Sequence, residues 1–121
     1  MHNPHIVVVD DDDAIRSVVV AVVQEAIPSA KVSAHTSALH ALQEISTGTI
    51  DLLITNCHMP DMDGPTLIKT LRDGKSSVPI IMVSGSDEAR EVAEEVGVDA
   101  FVSKIAIRSE LTDVIRSLVT A

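Results

Sequence analysis

Tryptophan and tyrosine are absent from this chain and phenylalanine occurs once, at Phe101, which leaves 1% aromatic residues among 121. Neither ring type is available to stack on a flavin. Lysine and arginine together number 9 against 18 aspartates and glutamates, giving a formal charge of -9 and a pI near 4.7. Counterion release needs a basic face, so direct binding to nucleic acid or to an anionic membrane is disfavoured. Cysteine is limited to Cys57, which excludes an internal disulfide. The longest apolar run, residues 18–23, is six residues long, against the roughly 20 needed to cross a bilayer. The opening MHNPHIVVVD has neither a cationic segment leading into a long apolar one nor a cleavage site. These absences point to a soluble, cytoplasmic chain. Internal repeats, low-complexity tracts and linkers are missing too. With 45% apolar residues, the chain is expected to be one domain with one continuous core, held without disulfides or a structural metal.

What is present is a regular alternation. Short runs rich in β-branched residues predict strands at His5–Val9, 31–34, 50–55, 79–83 and Ala100–Ser103. Between them lie helical patterns at 14–26, 37–46, 65–72, Asp87–Val96 and 108–119. The first is valine-rich, which favours a strand. Its apolar positions, Ile15, Val18, Val19, Val22, Val23 and Ala26, nevertheless follow helical spacing over more than three turns, so a helix is expected, with Asp12 or Asp13 as its cap. Pro65 suits a first helical position, and Gly48, Gly74 and Gly97 fall where helices should end. Five βα units with nearly continuous apolar strands predict a doubly wound α/β fold, a parallel sheet covered by helices on both faces.

In such sheets chemistry gathers at the carboxyl ends of the strands, near the point where strand order reverses. The first strand end supplies Asp10, Asp11, Asp12 and Asp13; the third, Asn56, Cys57 and His58; the fourth, Ser84 and Gly85; the fifth, Lys104. An acidic cluster, a hydroxyl and a lysine are thereby expected around Asn56. Oxygen ligands drawn from several loops suit Mg²⁺, and a hydroxyl with an ammonium can hold phosphoryl oxygens.

The arrangement resembles the receiver domain of two-component response regulators over essentially the whole chain, residues 1–121. The resemblance rests on VVVDDDD after the first strand, DLLITN with MPDMDG around the third, IIMVSG at the fourth and AFVSK at the fifth. It implies the flavodoxin-like strand order 2-1-3-4-5 with five helices. It also implies that Asp10 and Asp11 hold Mg²⁺, with Asp11 the direct ligand and His58 contributing its backbone carbonyl. Ser84 corresponds to the hydroxyl that moves toward the phosphoryl group, Lys104 to its cationic partner and Phe101 to the aromatic rotamer switch. Asn56 stands where the family carries its phosphoacceptor aspartate.

That departure bears on mechanism. A carboxylate oxygen attacks phosphorus to form a mixed anhydride, whereas a neutral carboxamide oxygen is a far poorer nucleophile. Ordinary aspartyl phosphorylation at residue 56 is not expected, although the amide can offer its oxygen weakly to a metal and its NH₂ to Asp10, Asp11 or Ser84. With one negative charge fewer, Mg²⁺ should bind weakly. A second departure is Ile105, where the family commonly has proline after the lysine. A cis bond there would cost about 2.5 to 4 kcal/mol without proline, which leaves the shape of the following loop open.

Plainer roles compete for each residue. Acids favour helix starts, so Asp12 and Asp13 read as capping residues. MPDMDG is no calcium loop, because counting from Met59 puts Thr70 where a glutamate ligand belongs. Cys57 and His58 are neighbours on extended backbone and point to opposite sides, and His2, His5, His35 and His40 have no ligand spacing. Phe101 serves either the core or a switch; Pro60 and Gly64 shape a loop. Function is expected to be that of a non-enzymatic signalling module, a receiver blocked at Asn56 that acts through protein–protein contacts. A sensor histidine kinase or phosphotransfer protein and an output protein are the implied partners. No nucleic acid, membrane or output domain within the chain is expected, and the state is a monomer or weak homodimer. The alternatives are a phosphoacceptor using Asp11 or a small flavodoxin-like cofactor binder, the latter opposed by the lack of a phosphate loop after the first strand.

Overall fold

A computed structural model describes residues 3–119; His2 lies outside them. Five parallel strands form one sheet in the order β2-β1-β3-β4-β5, with β1 at His5–Val9, β2 at Lys31–His35, β3 at Leu52–Asn56, β4 at Ile80–Ser84 and β5 at Ala100–Ser103. Helices α1 (Asp13–Ala26), α2 (Ala38–Thr47), α3 (Gly64–Asp73) and α4 (Asp87–Val96) cross between them, and α5 (Thr112–Leu118) follows the last strand. The doubly wound fold and the 2-1-3-4-5 order implied by the motifs are both present. Among the described residues no helix is long and apolar enough to cross a membrane.

Successive strand residues face opposite sides, so each strand feeds two cores. Ile6, Val8, Leu52, Ile54, Ile81 and Val83 pack with Val19, Val22 and Val23 of α1 and Ile115 of α5. Val7, Val9, Leu53, Ile80 and Met82 pack on the other face with Ala41 and Ile45 of α2, Leu67 and Ile68 of α3 and Ala93 of α4. The valine-rich segment is indeed helical: β propensity is weak against a face that buries Val19, Val22, Val23 and Ala26 together. Each fully buried valine, leucine or isoleucine contributes about 1.5 to 3 kcal/mol, and truncating the fully buried Ile81 to alanine should cost about 2 to 5 kcal/mol.

Two boundaries differ from expectation by more than one residue. The third strand begins at Leu52; Asp51 precedes the β3 ladder, donating its N–H to the His5 carbonyl (2.8 Å) and accepting the His5 N–H on its carboxylate (2.8 Å). The last helical segment is not uniform. Lys104–Ala106 form a 3₁₀ turn, Ile107–Leu111 a π-helical turn, and the α-helix proper starts only at Thr112. No side chain caps any of these starts, so the chain winds tightly and then widely before it settles. Among the described residues every peptide bond is trans, and Ile105 stands 96% exposed.

Candidate functional site

The sheet order reverses between β1 and β3, and the carboxyl ends of these strands carry the acidic site. The four aspartates separate into four tasks. Asp10 turns inward, only 3% exposed, and its Oδ1 accepts the Asp12 N–H at 2.9 Å while its carbonyl accepts from Arg16 at 2.9 Å. Asp11 lies exposed at the mouth. Asp12 caps α1 through the Ile15 N–H (3.0 Å), and Asp13 pairs with Arg16 at 2.6 Å on the surface. Burial, the largest influence on Asp10, raises its pKa above the ordinary value, and the charges of Asp11 and Asp12 add to this; the Asp12 N–H and the Lys104 ammonium oppose it.

Asn56 is the last residue of β3 and 7% exposed. Its Oδ1 accepts the buried Cys57 N–H at 2.7 Å. That bond fixes the amide's orientation, since the reversed amide would set NH₂ against N–H. Nδ2 therefore faces the pocket, 2.9 Å from the His58 carbonyl and 3.4 Å from an oxygen of each of Asp10 and Asp11. The oxygen considered above as a weak metal ligand is committed to Cys57, and the NH₂ goes to the two aspartates and His58, with no bond to Ser84. The following loop returns close to the strand end: the Gly64 N–H donates to the Cys57 carbonyl (2.8 Å), and a Cβ on Gly64 would drive into the Asn56 carbonyl oxygen. Pro65 and the Asp63 cap, which accepts the Thr66 N–H at 2.8 Å, then start α3.

Ser84 ends β4 and is buried. Its hydroxyl accepts the Ser86 N–H at 3.4 Å, and Ser86 in turn caps α4. Lys104 follows β5, its stem packed beside Gly85. Among the described residues its ammonium makes no ion pair and acts on Asp10 at longer range. Phe101 packs against the α2–α4 core, and the Arg90 guanidinium sits 4.5 Å from its ring centroid. Cys57 is buried, and burial, with the charge of Asp63, raises its thiol pKa, which disfavours the nucleophilic thiolate. A cleft of about 500 Å³ lined by Ile50, Asp51, Ser77, Pro79 and Leu118 opens at the other end of the sheet, away from these groups.

The family model of the response regulator receiver domain matches residues 6–116. The chain belongs to this family. It is 35% identical over 104 residues to the cyclic di-GMP phosphodiesterase response regulator RpfG of Xanthomonas campestris pv. campestris (strain 8004), a match covering 83% of this chain and 28% of that protein. The Francisella response regulator 1452 receiver domain is 27% identical, with a TM-score of 0.84 and 96% of each chain covered. The Vibrio cholerae chemotaxis protein CheY4, 23% identical, shares the fold with a TM-score of 0.84 over 98% of this chain and 100% of that one. The chain is thus the receiver domain of a two-component response regulator, and it spans less than a third of the first of these relatives.

Receiver domains generally bind Mg²⁺ at an acidic pocket. Asp10, Asp11 and the His58 carbonyl offer hard oxygen donors of that kind. The fourth group at this site does not fit: Asn56 presents N–H hydrogens, which cannot coordinate a cation. Among the described residues no group of three or more His, Cys, Asp or Glu side chains is arranged to hold a metal.

Two histidines without ligand spacing in the sequence meet in this receiver. Glu44 of α2 takes a hydrogen bond from the Ser33 hydroxyl (2.8 Å), lies 2.7 Å from His35 Nε2 and 3.4 Å from His5 Nε2, and His5 Nε2 reaches Ser33 at 2.9 Å. Burial pushes the Glu44 pKa up, but hydrogen bonds from His35 and Ser33 and the charges of both histidines outweigh it, so the net shift is downward. The available signal was the phase of the strands, since residues 5, 33 and 35 share the sheet face that α2 covers.

Proposed function

We propose that this receiver signals through protein binding and takes no phosphoryl group at residue 56. The single observation that carries the reading is Asn56 itself, a carboxamide at the end of β3 among Asp10, Asp11 and the His58 carbonyl. By resemblance it stands in the phosphoacceptor's place, with Asp10 and Asp11 as the acidic pair, Ser84 as the hydroxyl, Lys104 as the cation and Phe101 as the switch aromatic. A carboxamide supplies no anionic oxygen for in-line attack on phosphorus. Receiver domains are typically non-enzymatic signalling modules, and on this reading residues 6–116 share that character.

Receivers interact with histidine kinases and output domains, and those are the partner classes for this chain, in the cytoplasm, without nucleic acid or membrane contact. The docking face is α4 and its neighbours. Asp87, Glu88, Glu91, Glu94 and Glu95 are all exposed on α4 with Arg90 as the only base, and Arg90 lies over Phe101. A basic or mixed-charge surface complements that helix. Incubation with acetyl phosphate and Mg²⁺, followed by intact mass measurement, should add no phosphoryl mass to this chain and one to Asn56→Asp. A stable adduct on the unmodified chain, mapped to Asp11, overturns the reading.

A further inference from the structure

The geometry points to the Asn56 side-chain amide as a built-in substitute for the divalent cation: its N–H hydrogens bridge the oxygens a metal would bridge, so the pocket closes without one. The inference rests on the reading of Asn56 as the occupant of the phosphoacceptor's place. Oxygens bound to Mg²⁺ at about 2.1 Å in octahedral geometry stand about 3.0 Å from their neighbours. Nδ2 is 2.9 Å from the His58 carbonyl and 3.4 Å from Asp10 Oδ1 and Asp11 Oδ1, so it stands where one ligand of such a shell would stand. A ligand turns a lone pair to the centre. The amide nitrogen turns its hydrogens there instead, and their partial positive charge meets both carboxylates and the carbonyl.

Reversing the amide would present Oδ1 to a cation. It would also place NH₂ against the buried Cys57 N–H, which now donates to Oδ1 at 2.7 Å. An aspartate has no such conflict, because one oxygen serves the Cys57 N–H and the other remains free for the metal. Weak cation binding thus has two separable causes: one missing charge, and an amide that occupies the pocket. A loss of charge alone leaves the site open to a metal. An occupying amide must be displaced first, at the cost of its contacts with three acceptors.

The two causes part at Asn56→Ala, which carries the same charge as asparagine but cannot reach the pocket. The Cys57 N–H loses its acceptor in that variant whether or not a cation is bound, so the loss bears on folding and leaves cation affinity untouched. Mn²⁺ titrations of the whole chain, read by paramagnetic broadening of the backbone amide signals of residues 10–13 and 56–58, compare the unmodified protein with Asn56→Ala and Asn56→Asp. Asn56→Ala should bind Mn²⁺ about tenfold more tightly than the unmodified chain, which corresponds to about one hydrogen bond displaced. Asn56→Asp should bind more tightly still. Asn56→Ser, of equal charge and also too short to reach, replaces Asn56→Ala if circular dichroism shows the alanine variant unfolded. An alanine or serine variant that binds no more tightly than asparagine overturns the inference and assigns the weakness to charge alone. Equal binding by Asn56→Asp and the unmodified chain overturns it as well. Neither result bears on phosphorylation, and a phosphoryl adduct on the unmodified chain removes the proposed function while leaving the Mn²⁺ ranking to be judged separately.

Discussion

Replacing Asn56 by aspartate in the metal-free chain brings a third carboxylate to a pocket that already holds Asp10 and Asp11. The amide nitrogen it replaces is 3.4 Å from an oxygen of each. With charge spread over two oxygens per group, the centres lie about 5 Å apart, and each pair repels by about 3 kcal/mol at an effective dielectric of about 20. Two such pairs set an upper figure of about 6 kcal/mol. Three effects reduce it. Asp11 is exposed, so water and salt screen its share. The Lys104 ammonium already attracts Asp10 and would attract the new charge too. Any one carboxyl can also take a proton, and at about 1.36 kcal/mol per pKa unit this limits the total cost at pH 7 to about 4 kcal/mol. The expected net destabilisation is about 1 to 2 kcal/mol. With a urea slope of about 2 kcal/mol per molar, the unfolding midpoint of Asn56→Asp should fall by about 0.5 to 1 M in EDTA. Millimolar Mg²⁺ should narrow the gap, because a ligand stabilises the fold it binds more tightly. If Asn56→Asp proves equally or more stable in EDTA, pocket repulsion is not the controlling effect and residue 56 is held by its other contacts, the Cys57 N–H first among them.

Asp61, held at a pKa of about 2 by the Ser37 hydroxyl (2.5 Å) and the Leu39 N–H (3.2 Å), ties the loop after Asn56 to the start of α2. A depressed acid stabilises the fold above its unfolded value near 3.8, so the stability difference between the chain and Asp61→Asn should be constant above about pH 5 and vanish as the pH falls toward 2. The same sign holds for Glu44, and Glu44→Gln should flatten the acid limb of the stability curve just below the ordinary carboxylate range, as followed by urea unfolding at stepped pH. Gly64→Ala should cost about 3 kcal/mol in urea unfolding, because the new Cβ meets a backbone carbonyl that cannot rotate away; a loss below about 0.5 kcal/mol would mean the loop gives way freely. Reversing Glu91 and Glu94 to lysine should slow association with a docked partner and weaken its salt dependence, measured by surface plasmon resonance at two ionic strengths, and unchanged rates would remove α4 from the docking face.

The strand ends were legible in the sequence because a parallel sheet leaves its chemistry at one edge and each strand's phase decides which residue turns inward. The sequence left the cap open between Asp12 and Asp13, and the structure settles it by where the five-residue strand stops and the helix starts, with Asp10 inward, Asp12 as cap and Asp13 on the surface. The polar contacts that join one element to another were not legible, because they depend on how the helices sit on the sheet. Asp99 shows this: it accepts the Ile80 N–H at 2.7 Å and meets Arg72 of α3 at 3.4 Å, a junction no local pattern announces. The meeting of His5, Ser33 and His35 at Glu44 is of the same kind, since the strands fix a shared face and only the docking of α2 selects the carboxylate. The segment Lys104–Leu111 was illegible for the opposite reason, having neither the proline nor the capping side chain that would set its geometry locally. Asn56 stands between these cases. Its position at the mouth follows from the strand, but the direction of its amide follows from one backbone donor, the Cys57 N–H, whose own carbonyl is engaged by Gly64. The chemistry of the pocket is therefore governed jointly by the carboxamide at the end of β3 and by the loop closure that decides which end of that residue faces the acids.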